Sequence, residues 1–346
     1  MLAIQFSAKE QKLSLKTIPS PLINEKNEVV IRVAYAGVCG TDLHIVEGAF
    51  PCSESAITLG HEFCGVVSSV GSDVKHVKPG DNVVLDPESG CNTCDYCHNG
   101  NYHYCKTGAL NNAVGIYRHG GWAQFCKVPA EQVHKLPPNI PLERAVLTEP
   151  LSCIAHGWDI ASPLPVGSKI LILGSGIIGN LWVSILHLQG HRDVIVSEPK
   201  EGRRELVKNL DTGFDIVSPA ELKAYRTRDP DWGVDLVIDC SGYVPAMEEA
   251  VTYLNPGGKL CMFGVSSPDA KMSISPYLMF KNELKILGIN INPFSFPKAL
   301  HWLNVMGSRY LTYEKLGIKI FSLKEYNEAL QCLKKGTISK AVFKME

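Results

Sequence analysis

The sequence predicts an α/β protein made of a β-barrel-like half and a doubly wound parallel sheet, on three observations. A chain of 346 residues is too long for one ordinary core, so two domains are expected. Residues 1 to about 150 carry short apolar or alternating runs bounded by Gly, Pro, Asn or Asp, the pattern of a compact β domain. From about residue 165 the pattern becomes strand and helix in alternation, which implies a parallel sheet covered on both faces. With 45% hydrophobic and 20% charged residues, the chain has the composition of a globular protein rather than a disordered one.

The first-half strands are read from "NEVVIRVAYAGVCG", "EFCGVVSSVG", "GDNVVLD" and "WAQFCKVPA". In the second half "SKILILG" is a strand, a helix follows to Leu188, "DVIVSE" is the next strand and "GRRELVKNL" the next helix. "VDLVIDCSG" comes next, then a helix through Met247 to Leu254, then the strand "GGKLCMFG". After "LKILG" the rhythm breaks with "NINPFSFP" and a final helix and strand. The apolar stretch Ile170 to Leu188 is long enough to cross a bilayer. Three glycines and Asn180 split it into a short strand and a separate helix, so no membrane span is expected. The N-terminus lacks a basic start followed by a long apolar core, so no signal peptide is expected either.

A formal net charge of −1 offers no basic surface for nucleic acid or an anionic membrane. Twelve cysteines without a secretion signal read as reduced thiols and metal ligands in the cytoplasm, not as a disulfide framework. Four of them, Cys91, Cys94, Cys97 and Cys105, lie within "GCNTCDYCHNGNYHYC" with the spacing of four thiolates on one loop. Four sulfurs close a tetrahedral zinc and leave no position for substrate, so a metal here is structural.

Other motifs carry the candidate chemistry. "GSGIIG" places Gly174, Gly176 and Gly179 in G-x-G-x-x-G spacing after a strand and at the start of a helix. That arrangement gives a tight turn, close approach to a pyrophosphate and close helix–strand packing, with phosphates at the helix N-terminus beside Ile177 and Ile178. Glu198 ends the next strand, where a carboxylate can bond ribose hydroxyls and repel a 2′-phosphate. Arg203 and Arg204 follow, and either hold such a phosphate or form an exposed helix face; the balance favours NAD over NADP. Ser241, with Gly242, and Phe263, Gly264 and Val265 fall at the ends of later strands, where cofactor sites in such sheets gather. In the first half Cys39, His61, Glu62 and Glu149 offer the mixed S, N and O donors of a catalytic zinc with an open position.

"GVCGTDLH", "GHEFCGVV", "PGDNVV", the cysteine run, "GGWAQF", "TEPLSC" and "GSGIIG" occur in the order seen in zinc-dependent medium-chain alcohol and polyol dehydrogenases, and the chain resembles that family along its whole length. The resemblance implies a GroES-like catalytic domain from residues 1–150 and 288–346, and a Rossmann domain from 151–287. It makes Cys39 and His61 zinc ligands and puts Glu149 where simple-alcohol members have a second cysteine, as in the sorbitol-like and arabinitol-like polyol branch. In that branch Glu62 can also coordinate, and the resemblance leaves open which glutamate ligates directly. Asp42 would orient His61, while Thr41 and His44 would relay a proton to solvent. One catalytic and one structural zinc per chain, an alcohol or polyol substrate, and a homo-dimer or homo-tetramer complete the implied picture. Ile291 and Asn292 stand where sorbitol dehydrogenases have an arginine–tyrosine pair, which implies a more apolar pocket walled by Phe50, Phe294 and Phe296. An NADP-linked carbonyl reductase, a simple-alcohol dehydrogenase and a non-catalytic nucleotide-binding protein are the alternative readings.

Overall fold

A computed structural model describes all 346 residues. The six strands of its central sheet run parallel in spatial order Asp215–Val217, Val194–Ser197, Ile170–Leu173, Val234–Asp239, Leu254–Met262 and Lys285–Gly288. Chain order reverses between the third and fourth of these strands. A crevice for ligands therefore opens at their carboxyl ends.

The run "ILIL" explains itself in this sheet. Ile170 and Ile172 pack into one core with Leu181, Trp182 and Ile185 of the helix Ile177–Leu188. Leu171 and Leu173 point the other way, into a second core with Met247 and Val251 of the helix Val244–Val251. Alternate side chains leave a strand on opposite faces, so a strand covered on both faces is apolar at every position. Each such side chain contributes about 1.5–3 kcal/mol by burial, enough to exclude a polar residue from any of the four positions. The stretch that resembled a membrane span is thus a strand and a helix parted by the glycine loop, and no helix is long and apolar enough to cross a membrane.

A seven-stranded sheet occupies the first half and is completed by the chain's end. Its longest strand, Glu28–Gly37, pairs with Phe63–Val70 on one edge, and with Phe125–Pro129 and Lys340–Lys344 on the other. The last strand is held by the register Val342↔Gly37, Phe343↔Ala36 and Lys344↔Tyr35, and Ile318–Phe321 runs parallel beside it. This return accounts for the broken rhythm after Gly288. On the way back, the helix Phe296–Tyr310 shares one core with the helix Thr148–Ala161 through Phe296, Leu303, Leu151 and Ile154.

One expected boundary moves. The helix predicted to reach Leu254 stops at Val251, and Leu254 opens the next strand. Pro256 cannot donate a ladder hydrogen bond and Gly257 has φ +78°, so this strand starts irregularly and shifts register against Val234–Asp239.

Candidate metal centre and cofactor cleft

Cys39 caps the N-terminus of the helix Gly40–Val46, just beyond the long strand's end at Gly37. The fully buried Asp42, one turn in, binds two neighbours at once. Its Oδ2 accepts the Cys39 backbone N–H at 2.8 Å, and its Oδ1 lies 3.6 Å from His61 Nδ1. His61 and Glu62 immediately precede the strand Phe63–Val70, and the Glu62 carbonyl accepts the Gly37 N–H at 2.7 Å. The donor atoms of Cys39, His61 and Glu62 all lie within 4.8 Å of one another. Burial disfavours a charged His61, but Asp42 and Cys39 outweigh it and hold the imidazole well above its usual range.

Lys340, from the last strand, is 1% exposed and pairs with Glu62 Oε2. Its Nζ also donates to the Val38 carbonyl at 3.3 Å. Burial disfavours its charge, yet Glu62 keeps its pKa above the usual lysine value. Gly37 leaves room for this pair, since a Cβ there would press on Glu62 Oε2 and come within 2.9 Å of Lys340 Cε, and the two side chains would have to shift.

Glu149 lies in the first turn of the helix Thr148–Ala161 and lines the same cavity, although it stands outside the tight trio. Its Oε1 accepts from Cys153 Sγ at 3.5 Å. Burial, then the neighbouring Glu62, pushes the Glu149 carboxyl up to about 7. The cavity measures about 490 Å³, and Thr41 and His44 line it from the Gly40–Val46 helix. Phe50, Ile116, Ile178, Phe263 and Ile291 supply apolar wall. Two expected wall residues are elsewhere. Phe294 is 66% exposed and packs edge-on against Tyr102, while Phe296 is buried in the core and stacks on His134. Asn292 is buried too, and its amide donates to Ser152 Oγ at 2.8 Å.

Sequence reasoning missed Lys340, Asp86 and Glu88. Burial pushes Asp86 up to about 8, and burial, Glu149 and Asp86 together push Glu88 well above the usual carboxylate range. A signal was present in "VVLDPESG": two carboxylates spaced by two at the end of an apolar strand share one face.

The second cavity, about 650 Å³, lies over the carboxyl ends of the parallel strands and is lined by Gly174, Gly176, Glu198, Lys200, Arg203 and Ser241. Gly174 turns with φ +90°, a Cβ on Gly179 would strike the Gly174 carbonyl, and nothing lies within 4 Å of a Cβ at Gly176. Gly174 and Gly179 shape the loop; Gly176 leaves its outer face open to a ligand. Glu198 is buried, accepting the N–H groups of Ser175 and Lys200, each at 2.9 Å, and Ser175 Oγ at 3.2 Å. Arg204 donates to the carbonyls of Glu198 and Pro199 at 2.8 and 2.9 Å, whereas Arg203 Nε has no partner. Ile177 lines neither cavity, while Ile178, Phe263, Gly264 and Val265 line the metal-side one. Cys240 and Ser241 line both, so the two cavities meet there.

The alcohol dehydrogenase GroES-like domain matches residues 25–138, and the zinc-binding dehydrogenase domain matches residues 178–304. D-arabinitol dehydrogenase 1 of Uromyces fabae is 31% identical over 94% of each chain. L-threonine 3-dehydrogenase of Pyrococcus furiosus is 32% identical over 92% of this chain and 91% of its own. The chain belongs to the zinc-dependent medium-chain alcohol and polyol dehydrogenases. A zinc-binding dehydrogenase of Sinorhizobium meliloti, solved with NADP, superposes on this dehydrogenase with a TM-score of 0.89 at 29% identity, covering 99% of this chain and 98% of that one. The dehydrogenase is therefore an oxidoreductase acting on alcohols or polyols, with a GroES-like barrel beside a Rossmann sheet.

Its residues fit the metal that the family name implies. Cys39, His61 and a carboxylate are the borderline-soft N, S and O donors that zinc accepts, and His61 is oriented from behind by a carboxylate. In the half-exposed lobe Cys91, Cys94, Cys97 and Cys105 also cluster within 4.8 Å, with Cys91–Cys97 at 4.0 Å and Cys94–Cys97 at 3.6 Å. Sulfurs around a tetrahedral zinc stand about 3.8 Å apart, whereas a disulfide needs about 2.05 Å. The Thr93 hydroxyl donates to Cys91 at 3.3 Å and helps pull that thiol down to about 5, which favours a thiolate.

Proposed function

We propose that this dehydrogenase oxidises a neutral polyol or other secondary alcohol to a ketone with NAD as hydride acceptor, and runs the reverse reduction when NADH is supplied. The observation that carries this reading is the meeting of the two cavities at Cys240 and Ser241, which brings the Cys39–His61–Glu62 trio and the cofactor cleft to one place. Cys39, His61 and the carboxylates Glu62 and Glu149 would hold a zinc ion, which would supply a Lewis acid for the substrate hydroxyl. Asp42 holds His61 in one tautomer, and Lys340 steadies Glu62. Bound NAD would supply the hydride acceptor, while Thr41 would take the hydroxyl proton and His44 would hand it towards solvent. Phe263, Gly264 and Val265 form the nicotinamide's surroundings, and Gly174, Gly176 and Gly179 bring the pyrophosphate to the helix N-terminus. A second zinc, on Cys91, Cys94, Cys97 and Cys105, is structural. In this division residues 1–150 and 288–346 carry the metals, and residues 151–287 carry the nucleotide.

NAD is proposed over NADP because Glu198 puts a carboxylate where a 2′-phosphate would sit. Arg203 and Lys200 in the same cleft favour the second reading, an NADP-linked carbonyl reductase. The twelve cysteines, none in a disulfide, suit the reducing cytoplasm, and a homo-dimer or homo-tetramer is the assembly proposed from the family resemblance. A panel of C4 to C6 polyols and simple secondary alcohols, read by NAD and NADP reduction, tests substrate class and cofactor together. A chain that reduces neither cofactor with any member refutes the reading.

A further inference from the structure

Besides Asp42, four buried carboxylates, Glu62, Asp86, Glu88 and Glu149, surround the catalytic cavity or lie just beneath it, and only one is paired with a lysine. Glu62 is paired with Lys340, and Glu149 lies beside the trio of metal donors. Asp86 and Glu88 have no lysine or arginine paired with them. Glu88 is 4% exposed, lines the cavity, and its Oε2 has no hydrogen-bond partner. Its backbone cannot easily swing away. The Glu88 N–H reaches Asp86 Oδ1 at 3.3 Å, the Pro87 carbonyl accepts the Val114 N–H at 3.0 Å, and the Ser89 carbonyl accepts the Ala109 N–H at 2.8 Å. A fixed, buried and unpartnered acceptor facing a substrate cavity costs free energy unless the ligand satisfies it.

The rest of the wall says which ligand that is. Neither Lys nor Arg lines this cavity, and the nearest ammonium, Lys340, is committed to Glu62 and the Val38 carbonyl. A phosphate ester or an amino-acid carboxylate would find no Lys or Arg on the wall to pair with and would face carboxylates there. A neutral polyol brings hydroxyl donors and no charge. We propose that Glu88 is a specificity-determining residue that accepts a hydrogen bond from a second hydroxyl of the substrate, close to the one oxidised, so that the cavity selects neutral diols and polyols. This rests on the alcohol-oxidising function proposed above.

The test compares 2,3-butanediol with 2-butanol, which differ by that second hydroxyl, in the wild type, Glu88→Gln and Glu88→Leu. Steady-state kcat/KM, zinc per chain, and diol titration of the enzyme–NADH complex by NADH fluorescence are measured for each. The wild type is expected to prefer the diol. Glu88→Leu should cut the diol-to-monoalcohol ratio by about 10- to 100-fold, mainly through KM, with a matching loss of diol affinity in the NADH complex. Glu88→Gln, which keeps the shape and an acceptor, should keep the ratio within about 10-fold of wild type. An unchanged ratio in Glu88→Leu overturns the proposal. So does a loss of zinc, which would make Glu88 a metal ligand, or faster turnover of 3-amino-2-butanol or glycerol 3-phosphate than of the diol. A wild type that oxidises none of these removes the underlying function and the proposal with it, an outcome distinct from an active enzyme that ignores the second hydroxyl.

Discussion

The lobe around Cys91–Cys105 draws four identical sulfurs from fifteen consecutive residues, three of the cysteines half-buried and Cys105 buried. The catalytic cavity draws sulfur, nitrogen and oxygen from Cys39, His61, Glu62 and Glu149, mostly buried side chains from three separate segments of the chain. The lobe needs only a loop that brings its sulfurs together. The cavity also has to manage charge: Asp42 steadies His61 and Cys39 from one side, and Lys340 answers Glu62 from the other. A closed set of like donors is a staple, and an open mixed set is a reaction centre that the surrounding fold must support.

The largest expected break in this comparison is at Glu149. Replacing it with Ala should lower kcat/KM for alcohol oxidation by about 1,000-fold while NADH binding, followed by fluorescence, stays near wild type. Turnover close to wild type would remove Glu149 from the reacting set. Lys340→Met comes next. It leaves Glu62 buried without its cation, so unfolding free energy from denaturant melts should fall by about 3–5 kcal/mol, and adding Glu62→Gln should recover part of the loss. A Lys340→Met variant as stable as wild type would mean that the ion pair does not hold the cavity.

Metal analysis sharpens the contrast itself. Protein purified without chelator should carry about two zinc ions per chain, and Cys97→Ser about one, with lower thermal stability but intact NADH binding. Fully active wild type with a single zinc would collapse the two-site reading. The smallest expected effect is at Glu198: the Gln variant should shift the NAD-to-NADP ratio of kcat/KM towards NADP by about 10-fold. An unmoved ratio would leave Glu198 as a brace for the glycine loop, which its bonds to Ser175 already make it.

The same contrast governs what could be read without coordinates. The cysteine lobe and the "GSGIIG" loop were legible because their geometry is local: spacing along the chain sets spacing in space. The strands around Ile170–Leu173 were legible for a similar reason, since burial on two faces writes an unbroken apolar run. Lys340 was not, because a lone lysine near the chain's end reads as solvated surface until the last strand is seen beside Gly37. Glu88 was hidden by the turn-like residues around it. Phe294 and Phe296 misled because alternation in an irregular loop says little about which side chain faces a cavity; φ is +55° at Phe294 and the chain turns there.

The last strand also sets an order of manufacture. Synthesis runs from the N-terminus at roughly 5–20 residues per second, so the cysteine lobe has all four sulfurs on the nascent chain some 10–50 s before Lys340 is added. Glu62 and Glu149 emerge early as well, but the lysine that answers Glu62, Lys340, comes far behind both of them in the chain. During elongation the lobe can take its ion while the cavity is still a set of unbalanced carboxylates. The reaction centre is thus finished only once Lys340 has been made, well after the cysteine lobe has all its sulfurs.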